Sequence, residues 1–421
     1  MTNREFDIVL FGATGFVGAL TAAHLAAAAP PQVRIALAGR SLQRLEDVRR
    51  GLPERAHDWP LLRVDAADPD RLRDLARRTT VLVSTVGPYS RYGREVARAA
   101  AEEGADYADL AGEVLFVRWS MDELDQRARH TGARIVHSCG FDSIPSDLGV
   151  QLTAQRAAAD GQGELADTTL LVTSLRGGLS GGTIDSLRQQ MIMVDHDPSL
   201  KPVLADRYAF SPRRTEEPTH HRHRRSGPVR RLLRLTSARR DAETGHWTGP
   251  FVMAGYNTRL VRLSNTLTDW SYGRGFRYRE VRDMGTGPLA AIRATGTGIV
   301  LAGLGGGLAW RPTRTLLDRF LPRPGQGPSA EQRAGGRFRM EIRATTTTTG
   351  AKYRTTVADD HDPGYDGTAI MLGQSALCLA LDRPHLPRRS GVLTPATAMG
   401  DVLAERLRTQ GFTLEVERVD K

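Results

Sequence analysis

Three glycines near the amino terminus have the spacing of a dinucleotide-binding turn. Gly12, Gly15 and Gly18 stand between an apolar run at 6–11 and an alanine-rich stretch. In a strand–turn–helix unit the first glycine permits a sharp turn, the second admits a pyrophosphate, and the third lets the helix pack on the strand. The helix N-terminus would then bind phosphate. We predict a cofactor loop, with a ligand-free structural turn as the alternative, made by Gly12, Ala13, Thr14, Gly15, Phe16, Val17 and Gly18.

The end of the second apolar run, at 33–40, indicates which dinucleotide binds. It ends in Arg40 and is followed by Ser41, with no acidic residue. An acid at this point would bind the ribose of NAD, whereas an arginine accommodates the 2′-phosphate of NADP. We therefore predict that Arg40 and Ser41 bind NADPH, although Ser41 could also cap the next helix. We place further cofactor contacts at Asp65, beside the adenine, and at Thr85, Val86 and Gly87.

The stretch CGFDSIPSDLG, residues 139–149, groups a thiol, two carboxyls and two hydroxyls. Pro145 is not expected inside a helix or a central strand, so we predict that the chain turns there, and we expect Ser146 to cap the following helix. Neither role explains Cys139 or Asp142. We predict that both face the reacting end of the cofactor. The alternatives are a small buried hydrophobe for Cys139 and a structural hydrogen bond for Asp142.

These candidate residues require a sheet that brings several strand ends together. Strand-like and helix-like runs alternate through the first 140 residues and predict an α/β fold, a doubly wound parallel sheet of about six strands. Its ligands would bind at the carboxyl ends of the strands. Further along, β-rich residues flank Gly350 and predict a hairpin over 338–359. Residues 366–382 then predict an apolar helix, and another helix and a last strand follow.

Size and composition are those of a soluble protein of two or three domains. The chain has 421 residues and a formal charge of +10, carried almost wholly by arginine. Two cysteines do not make a disulfide framework, and the amino terminus shows no signal-peptide pattern. We therefore expect a cytoplasmic protein. A basic surface attracts phosphates, acidic carriers and anionic lipid, and we expect no nucleic-acid partner.

Two runs in the middle of the chain differ from the rest. Residues 220–240 are densely basic and include three histidines but no acid or cysteine, so we predict a solvated basic face and no metal site. Residues 294–310 carry no charge and are rich in glycine, at the lower limit for a bilayer span. We expect this run to insert monotopically or to form a wall of an acyl pocket. A buried helix or turn is the alternative.

A short-chain dehydrogenase mechanism is excluded in its usual form, because it needs a tyrosine four residues before a lysine, and no such pair occurs. The chain instead resembles the saccharopine dehydrogenase-like family, and within it the actinobacterial trans-acting enoyl reductases. The motifs that carry this resemblance run in order through nearly the whole chain: GATGFVG (12–18), AGRS (38–41), STVGPY (84–89), YADLAGE (107–113), CGFDSIPSDLG (139–149), SGGTIDS (180–186), RLSNTLTDWSYGRGFRYRE (262–280), LPRPGQGPSAEQR (321–333) and DPGYDGTAIMLGQSALCL (362–379).

The resemblance implies a division into domains. An NADP-binding Rossmann domain would occupy 1–150. A substrate and dimerisation domain with a largely antiparallel sheet would occupy 151–365, including the apolar insert 294–310. The segment 366–421 would return to the first domain.

The resemblance also implies that Tyr89, Asp109 and Cys139 lie beside the nicotinamide and the substrate. Hydride transfer needs mainly orientation and a dry pocket, but reduction of an enoyl group also needs a proton. We choose Tyr89 as the donor, with Asp109 or a water molecule behind it. Cys139 is assigned substrate contact, and Asp142 completes the set of catalytic candidates.

Three functions follow from these features. The first is NADPH-dependent reduction of a carbon–carbon double bond in a lipid or polyketide chain. Its expected partners are an acyl carrier protein or polyketide synthase, a membrane surface bound peripherally, and a second copy of the chain in a homodimer. The second is a saccharopine-type amino-acid or imine reductase, whose charged substrate could use Arg176, Arg262 or Arg274. The third is a non-catalytic membrane- or partner-binding protein that retains a nucleotide fold.

Overall fold

The architecture consists of two seven-stranded sheets with helices packed on them. A computed structural model describes residues 4–177, 181–218, 238–241, 244–309, 312–313 and 327–419. The strands are β1 (Phe6–Phe11), β2 (Ile35–Gly39), β3 (Leu61–Arg63), β4 (Thr79–Ser84), β5 (Asp106–Asp109), β6 (Arg134–Val136), β7 (Leu165–Arg176), β8 (Arg239–Arg240), β9 (Trp247–Pro250), β10 (Arg277–Asp283), β11 (Arg337–Thr346), β12 (Lys352–Asp359), β13 (Gly391–Leu393) and β14 (Thr413–Arg418).

The helices connect these strands and cover the sheets. They are α1 (Phe16–Ala28), α2 (Leu42–Arg50), α3 (Pro69–Arg77), α4 (Tyr89–Tyr92), α5 (Arg94–Glu103), α6 (Val114–Glu123), α7 (Asp125–Thr131), α8 (Ile144–Ala159), α9 (Gly181–His196), α10 (Lys201–Ala205), α11 (Ala254–Leu267), α12 (Gly287–Ala309), α13 (Ala330–Ala334), α14 (Asp366–Leu381), α15 (Pro395–Ala398) and α16 (Gly400–Thr409). Short 3-10 turns lie at Glu54–Ala56, Pro198–Leu200 and Arg383–His385.

The first sheet is parallel throughout, with the order β13-β6-β5-β4-β1-β2-β3. Strands β1 and β2 are largely apolar, and every residue of β2 is buried, as expected for strands covered by helices on both faces. Strand order reverses between β1 and β4, and such a switch point is where open α/β sheets bind their ligands. The predicted α/β fold and the six strands of the first 140 residues are confirmed.

The second sheet is mixed and largely antiparallel, with the order β14-β12-β11-β7-β10-β9-β8. Only β7 and β10 pair in parallel among its described strands. The predicted hairpin is confirmed: β11 and β12 pair from Phe338–Asp359 to Thr345–Lys352, and Gly350 in the turn has a φ of +72°. A positive φ favours glycine because it has no Cβ.

The carboxyl-terminal segment is divided between the two sheets, which corrects the predicted return of all of 366–421 to the first domain. Helix α14 packs on α1, and β13 extends the first sheet beside β6. Strand β14, however, pairs antiparallel with β12. Leu414 is buried and Val416 packs against the core, so this alternating strand fits the open edge of β12. Alternation predicts a strand but not which sheet edge it joins.

Helix α8 begins earlier than the sequence indicated. Its first residue is Ile144, after Ser143 at the N-cap, and Pro145 lies in the first turn. Proline is tolerated there because the first N–H groups of a helix have no partner within the helix. The predicted capping role of Ser146 is therefore wrong. Its hydroxyl instead accepts a hydrogen bond of 3.2 Å from Asn257 Nδ2.

Residues 294–309 of the uncharged run belong to a longer helix, α12, which begins at Gly287. By length and composition, Gly287–Leu308 is the one span among the described residues that could cross a membrane, with 22 residues and a mean hydropathy of 1.3. Only 17% of its most apolar window is buried, so the alternative of an ordinary core helix does not describe it. Of the basic run 220–240, all but 238–240 lies outside the described residues.

Candidate active site

A cleft of ≈ 680 Å³ lies along the carboxyl ends of the first sheet. One end is lined by Arg40, Arg44 and Asp65, and the other by Asp142, Thr183 and Tyr365. The glycine turn lies between them. The cleft is therefore bounded by the Rossmann domain on one side and by α9 and the loop before α14 on the other.

The glycine turn has the geometry that a dinucleotide requires. Gly12 has a φ of +92°, which permits the sharp turn after β1. A Cβ at Gly18 would lie 2.2 Å from the Gly12 carbonyl oxygen, so α1 packs too closely on the turn for any larger residue. Gly15, before α1, lines the cleft. Thr14, Phe16 and Val17 line it as well, while Ala13 is buried behind the loop.

The two arginines at the far end are placed to bind a phosphate. Arg40 and Arg44 are exposed and line the cleft, and neither guanidinium forms a hydrogen bond or ion pair within the described part of the chain. Ser41 does not line the cleft, and its hydroxyl accepts from the Arg44 backbone N–H at 3.4 Å, which caps α2. Asp65 lines the cleft and accepts from the Ala67 N–H at 2.9 Å. The sequence had not singled out Arg44.

The loop after β4 forms the floor beside the glycine turn. Thr85 donates from its hydroxyl to the Gly12 carbonyl at 3.0 Å, which ties the loop to the turn. Val86 and Gly87 line the cleft next to it, and the Gly87–Pro88 peptide bond is cis. Thr85, Val86 and Gly87 therefore all line the cleft, and their contact with the cofactor stays a prediction.

Tyr89 lines the cleft, but its hydroxyl is engaged by the backbone. It donates to the Ser84 carbonyl and accepts from the Leu110 N–H, each at 3.1 Å. Burial, together with the nearby Asp109 charge, raises the pKa of Tyr89 well above its ordinary value. The phenol thus joins the ends of β4 and β5, and its proton already has an acceptor.

Asp109 does not line the cleft; it orders the loops behind it. Its carboxylate accepts from the Ala111 and Ser138 N–H groups at 2.9 and 3.1 Å, and contacts His137 Nδ1 at 2.8 Å. Ser138, which has a φ of +67°, does line the cleft and donates to the Ala111 carbonyl at 2.7 Å. The sequence had not identified His137 or Ser138, since single polar residues after a strand carry no specific signal.

Cys139 is fully buried and does not line the cleft. Its thiol donates to the Val136 carbonyl at 3.6 Å, and burial raises the pKa of the Cys139 thiol. A thiol that stays protonated in an apolar setting is a poor nucleophile. The structure therefore places Cys139 in the core beneath the loop that it begins.

Asp142 lines the cleft at the end away from Arg40 and Arg44, where Asp185 of α9 also lines it. It is partly buried, and its Oδ2 accepts from the Thr183 hydroxyl at 3.1 Å. Burial raises the pKa of Asp142, and the Thr183 hydrogen bond partly offsets that effect. Its backbone carbonyl accepts from Asn257 Nδ2 at 2.7 Å, so α11 holds the loop in place. The Asp142 carboxyl is thus held at the cleft by contacts with α9 and α11.

Helix α9 closes this end of the cleft and is anchored by Glu113. The Glu113 carboxylate accepts from the N–H groups of Tyr89 and Ser90, at 2.7 and 2.9 Å, and from the Ser186 hydroxyl at 2.9 Å. Burial raises the pKa of Glu113. Glu113 and Ser186 belong to the motifs YADLAGE and SGGTIDS. The sequence analysis singled out both motifs but did not predict the hydrogen bond between these two residues.

No group of three or more His, Cys, Asp or Glu side chains in the described ranges is placed to hold a metal ion.

Comparisons with known proteins agree with this geometry. Residues 8–136 match the saccharopine dehydrogenase NADP binding domain. A trans-acting enoyl reductase of Mycobacterium bovis is 46% identical over 422 residues, and that of Mycobacterium ulcerans is 45% identical over 426, each covering 99% of both chains. A Mycobacterium tuberculosis relative is 48% identical over 422 residues with the same coverage.

A solved structure shows the same fold. Apo saccharopine dehydrogenase (L-Glu forming) from Saccharomyces cerevisiae covers 98% of this chain and 99% of its own, with a TM-score of 0.52 and 13% identity. Sheet order, glycine turn and domain match together define an NADPH-dependent oxidoreductase of the saccharopine dehydrogenase-like class. Within that class, the chain belongs to the trans-acting enoyl reductase family.

Proposed function

We propose that the protein reduces the carbon–carbon double bond of an α,β-unsaturated acyl group. When bound along the glycine turn, NADPH would supply the hydride for the β-carbon and leave as NADP⁺; a proton would add to the α-carbon, so that the π bond is replaced by two C–H bonds. The observation that carries this proposal is a carboxyl, Asp142, at the opposite end of the cleft from Arg40 and Arg44.

The protein's part in the reaction is to orient the two reactants and to supply the proton. Arg40 and Arg44 would bind the 2′-phosphate, and the glycine turn would bind the pyrophosphate. Asp142 would deliver the proton, because its raised pKa favours the protonated form and its carboxyl faces the cleft. Thr183 would hold that carboxyl in position. We assign Tyr89 a supporting role, since its hydroxyl donates a hydrogen bond to the Ser84 carbonyl.

An amino-acid substrate fits the cleft less well. Its charged groups would need cations near the nicotinamide, yet among the described residues the only arginines lining the cleft are Arg40 and Arg44. Arg176, Arg262 and Arg274, the candidates from the sequence, do not line it. Arg262 donates to the Tyr278 carbonyl at 3.2 Å, away from the cleft. These contacts favour the enoyl substrate over the imine.

We further propose that a lipid surface is part of the enzyme's working environment. The side chains of Leu289, Ile292, Ile299 and Val300 on α12 are 68%, 66%, 61% and 67% exposed. Large apolar side chains gathered on one helix favour a bilayer interface over water. A cytoplasmic enzyme bound peripherally in this way would meet lipid-linked substrates or a synthase-bound acyl carrier. The homodimer remains a prediction.

NADPH oxidation with a panel of substrates tests the function. The panel holds acyl-carrier-bound enoyl chains, unsaturated lipids and cyclic imines. We expect turnover with an enoyl member and none with the imines. Activity on an imine alone would establish the amino-acid type of reductase instead, and tight NADPH binding without turnover on any member would favour the non-catalytic alternative.

A further inference from the structure

A second cavity adjoins the cleft at Asp142. This side cavity has a volume of ≈ 190 Å³ and shares Asp142 and Gly364 with the cleft. Most of its lining is apolar and comes from Phe141, Leu175, Phe251, Val252, Met253 and Leu301. The carboxyl that we assign to proton delivery therefore stands between a cofactor cleft and an apolar recess.

The side cavity is suited to hydrocarbon and poorly suited to a polar ligand. Its charged lining residues in the described chain are Asp142 and Arg282, and Arg282 is exposed. An apolar ligand that leaves water for such a site gains free energy in proportion to the apolar surface that it buries. A charged side chain such as that of an amino acid would lose hydration there without replacement.

Helix α12 forms one wall through its inner face. Ala290 and Ala294 on this face are buried, and Thr297 and Leu301, one and two turns further on, line the side cavity. A Cβ at Gly249 of β9 would lie 3.3 Å from Ala294 Cα, so strand and helix approach closely at this glycine. The wall is fixed against the second sheet.

The outer face of α12 is the exposed apolar surface already described. Ile299 and Val300 lie on it within two residues of Thr297 and Leu301. A single helix thus separates a surface suited to lipid from a recess suited to an alkyl chain. The distance between the two environments is the thickness of one helix, about 10 Å with side chains.

We propose that the side cavity binds the alkyl chain of the substrate, with the reacting double bond at Asp142 and the chain directed toward the inner face of α12. This assignment rests on the proposed function and specifies its substrate class as a long-chain enoyl lipid or thioester. The acyl carbonyl end lies in the cleft, which adjoins the cavity at Asp142 and Gly364.

Chain length should therefore control affinity. Each buried methylene strengthens binding about fourfold until the cavity is filled. For the wild-type enzyme we expect KM to fall steadily along a series of enoyl pantetheine thioesters of increasing length, and then to level off. NADPH affinity should not depend on the acyl chain.

Two substitutions at Leu301 test the site against a matched control. Leu301→Trp should fill the cavity and abolish the gain in affinity with chain length, while the shortest thioester is still reduced. Leu301→Ala should enlarge the cavity, so that KM levels off only at longer acyl chains. Leu381→Trp makes the same change on α14, at a side chain that is 37% exposed and lines neither cavity, and it should leave the profile unchanged.

Binding of saturated thioesters, measured by calorimetry on the full chain, separates this proposal from the proposed function because it needs no turnover. Affinity that rises with chain length in the wild type and not in Leu301→Trp supports the cavity even if no enoyl substrate is reduced. A profile that is flat in the wild type, or equally steep in Leu301→Trp, overturns it.

Discussion

At the scale of single residues, we propose that the guanidinium groups of Arg40 and Arg44 determine the preference for NADPH over NADH. Both line the cleft, and neither has a partner in the described structure that would compete with a phosphate. An arginine forms charge-assisted hydrogen bonds with a phosphate and gains nothing comparable from a ribose hydroxyl. Discrimination between NADPH and NADH should therefore reside in these side chains.

Substitution of Arg40 by glutamate tests this preference. Arg40→Glu should raise the Kd of NADPH by about one to two orders of magnitude, because a charged contact becomes a repulsion, and should change the Kd of NADH little. Calorimetry with both cofactors measures it. Arg50→Glu is the matched control, since Arg50 is the last residue of α2, the helix that follows Arg40, pairs with Asp47 and does not line the cleft. Equal losses for both cofactors would show that Arg40 is not at the 2′-phosphate.

The identity of the proton donor is a second residue-scale question. Asp142→Asn should lower kcat by about two orders of magnitude or more, the contribution of a general acid, with NADPH affinity retained. Because Asp142 acts protonated, kcat of the wild type should fall as pH rises through its raised pKa, and Asp142→Asn should lose that limb.

Tyr89→Phe gives the contrast. It would leave the Ser84 carbonyl and the Leu110 N–H unpaired, so the free energy of unfolding should fall by about 1–3 kcal/mol while kcat is largely kept. Unfolding curves and steady-state rates separate the two effects. A stable Tyr89→Phe enzyme without turnover would return the donor role to the phenol.

At the scale of elements, α12 carries the proposed contact with lipid. The chain should float with anionic vesicles, and salt should weaken this binding without abolishing it, because buried apolar area holds the helix after charge has drawn it in. Ile299→Glu with Val300→Glu should abolish flotation, whereas Leu381→Glu on α14 should not. Wild-type protein that stays in the soluble fraction at both salt concentrations would refute the contact.

The elements also show how far sequence reasoning reaches. Local sequence signals were sufficient to predict β1, the glycine turn and α1, because an apolar run, three glycines and an alanine-rich stretch all indicate the same strand–turn–helix unit. They also sufficed for the β11–β12 hairpin, whose turn needs a positive φ. Local signals did not predict the position of β14, because the alternation of a short strand does not indicate which sheet edge it pairs with. They also did not predict the start of α8, where the Ser146 hydroxyl accepts a hydrogen bond from Asn257 and does not cap the helix.

At the scale of the whole molecule, buried acids lie where α8, α11 and the second sheet meet. Burial raises the pKa of Glu280 to about 7 and that of Asp147 to about 6. Glu280 accepts from Tyr278 Oη at 2.9 Å and from Asn257 Nδ2 at 3.1 Å. Such pairings between distant segments, like those of Glu113 and Asp142 with α9, cannot be inferred from spacing along the chain. The sequence therefore identified the cofactor end of the site better than the substrate end.

These buried acids should make stability depend on pH. Their folded-state pKa values exceed the unfolded ones, so the folded chain binds more protons and the free energy of unfolding should fall as pH rises from about 4 to about 7. Glu280→Gln should remove about 3 kcal/mol of this dependence, given a shift from 4.5 to about 7. Urea unfolding across that range measures it, with the exposed Glu405→Gln as control. An unchanged pH profile in Glu280→Gln would mean that Glu280 does not titrate in this window.

The most direct measurement follows the two hydrogens that the proposed reaction adds. A long-chain enoyl thioester is incubated with the enzyme and NADPH deuterated at the transferable position, and the product is analysed by mass spectrometry and NMR. We predict a saturated product with deuterium on the β-carbon and a solvent proton on the α-carbon, formed much more slowly by Asp142→Asn. Recovery of the unsaturated thioester unchanged, while an imine is reduced under the same conditions, would contradict enoyl reduction as the function.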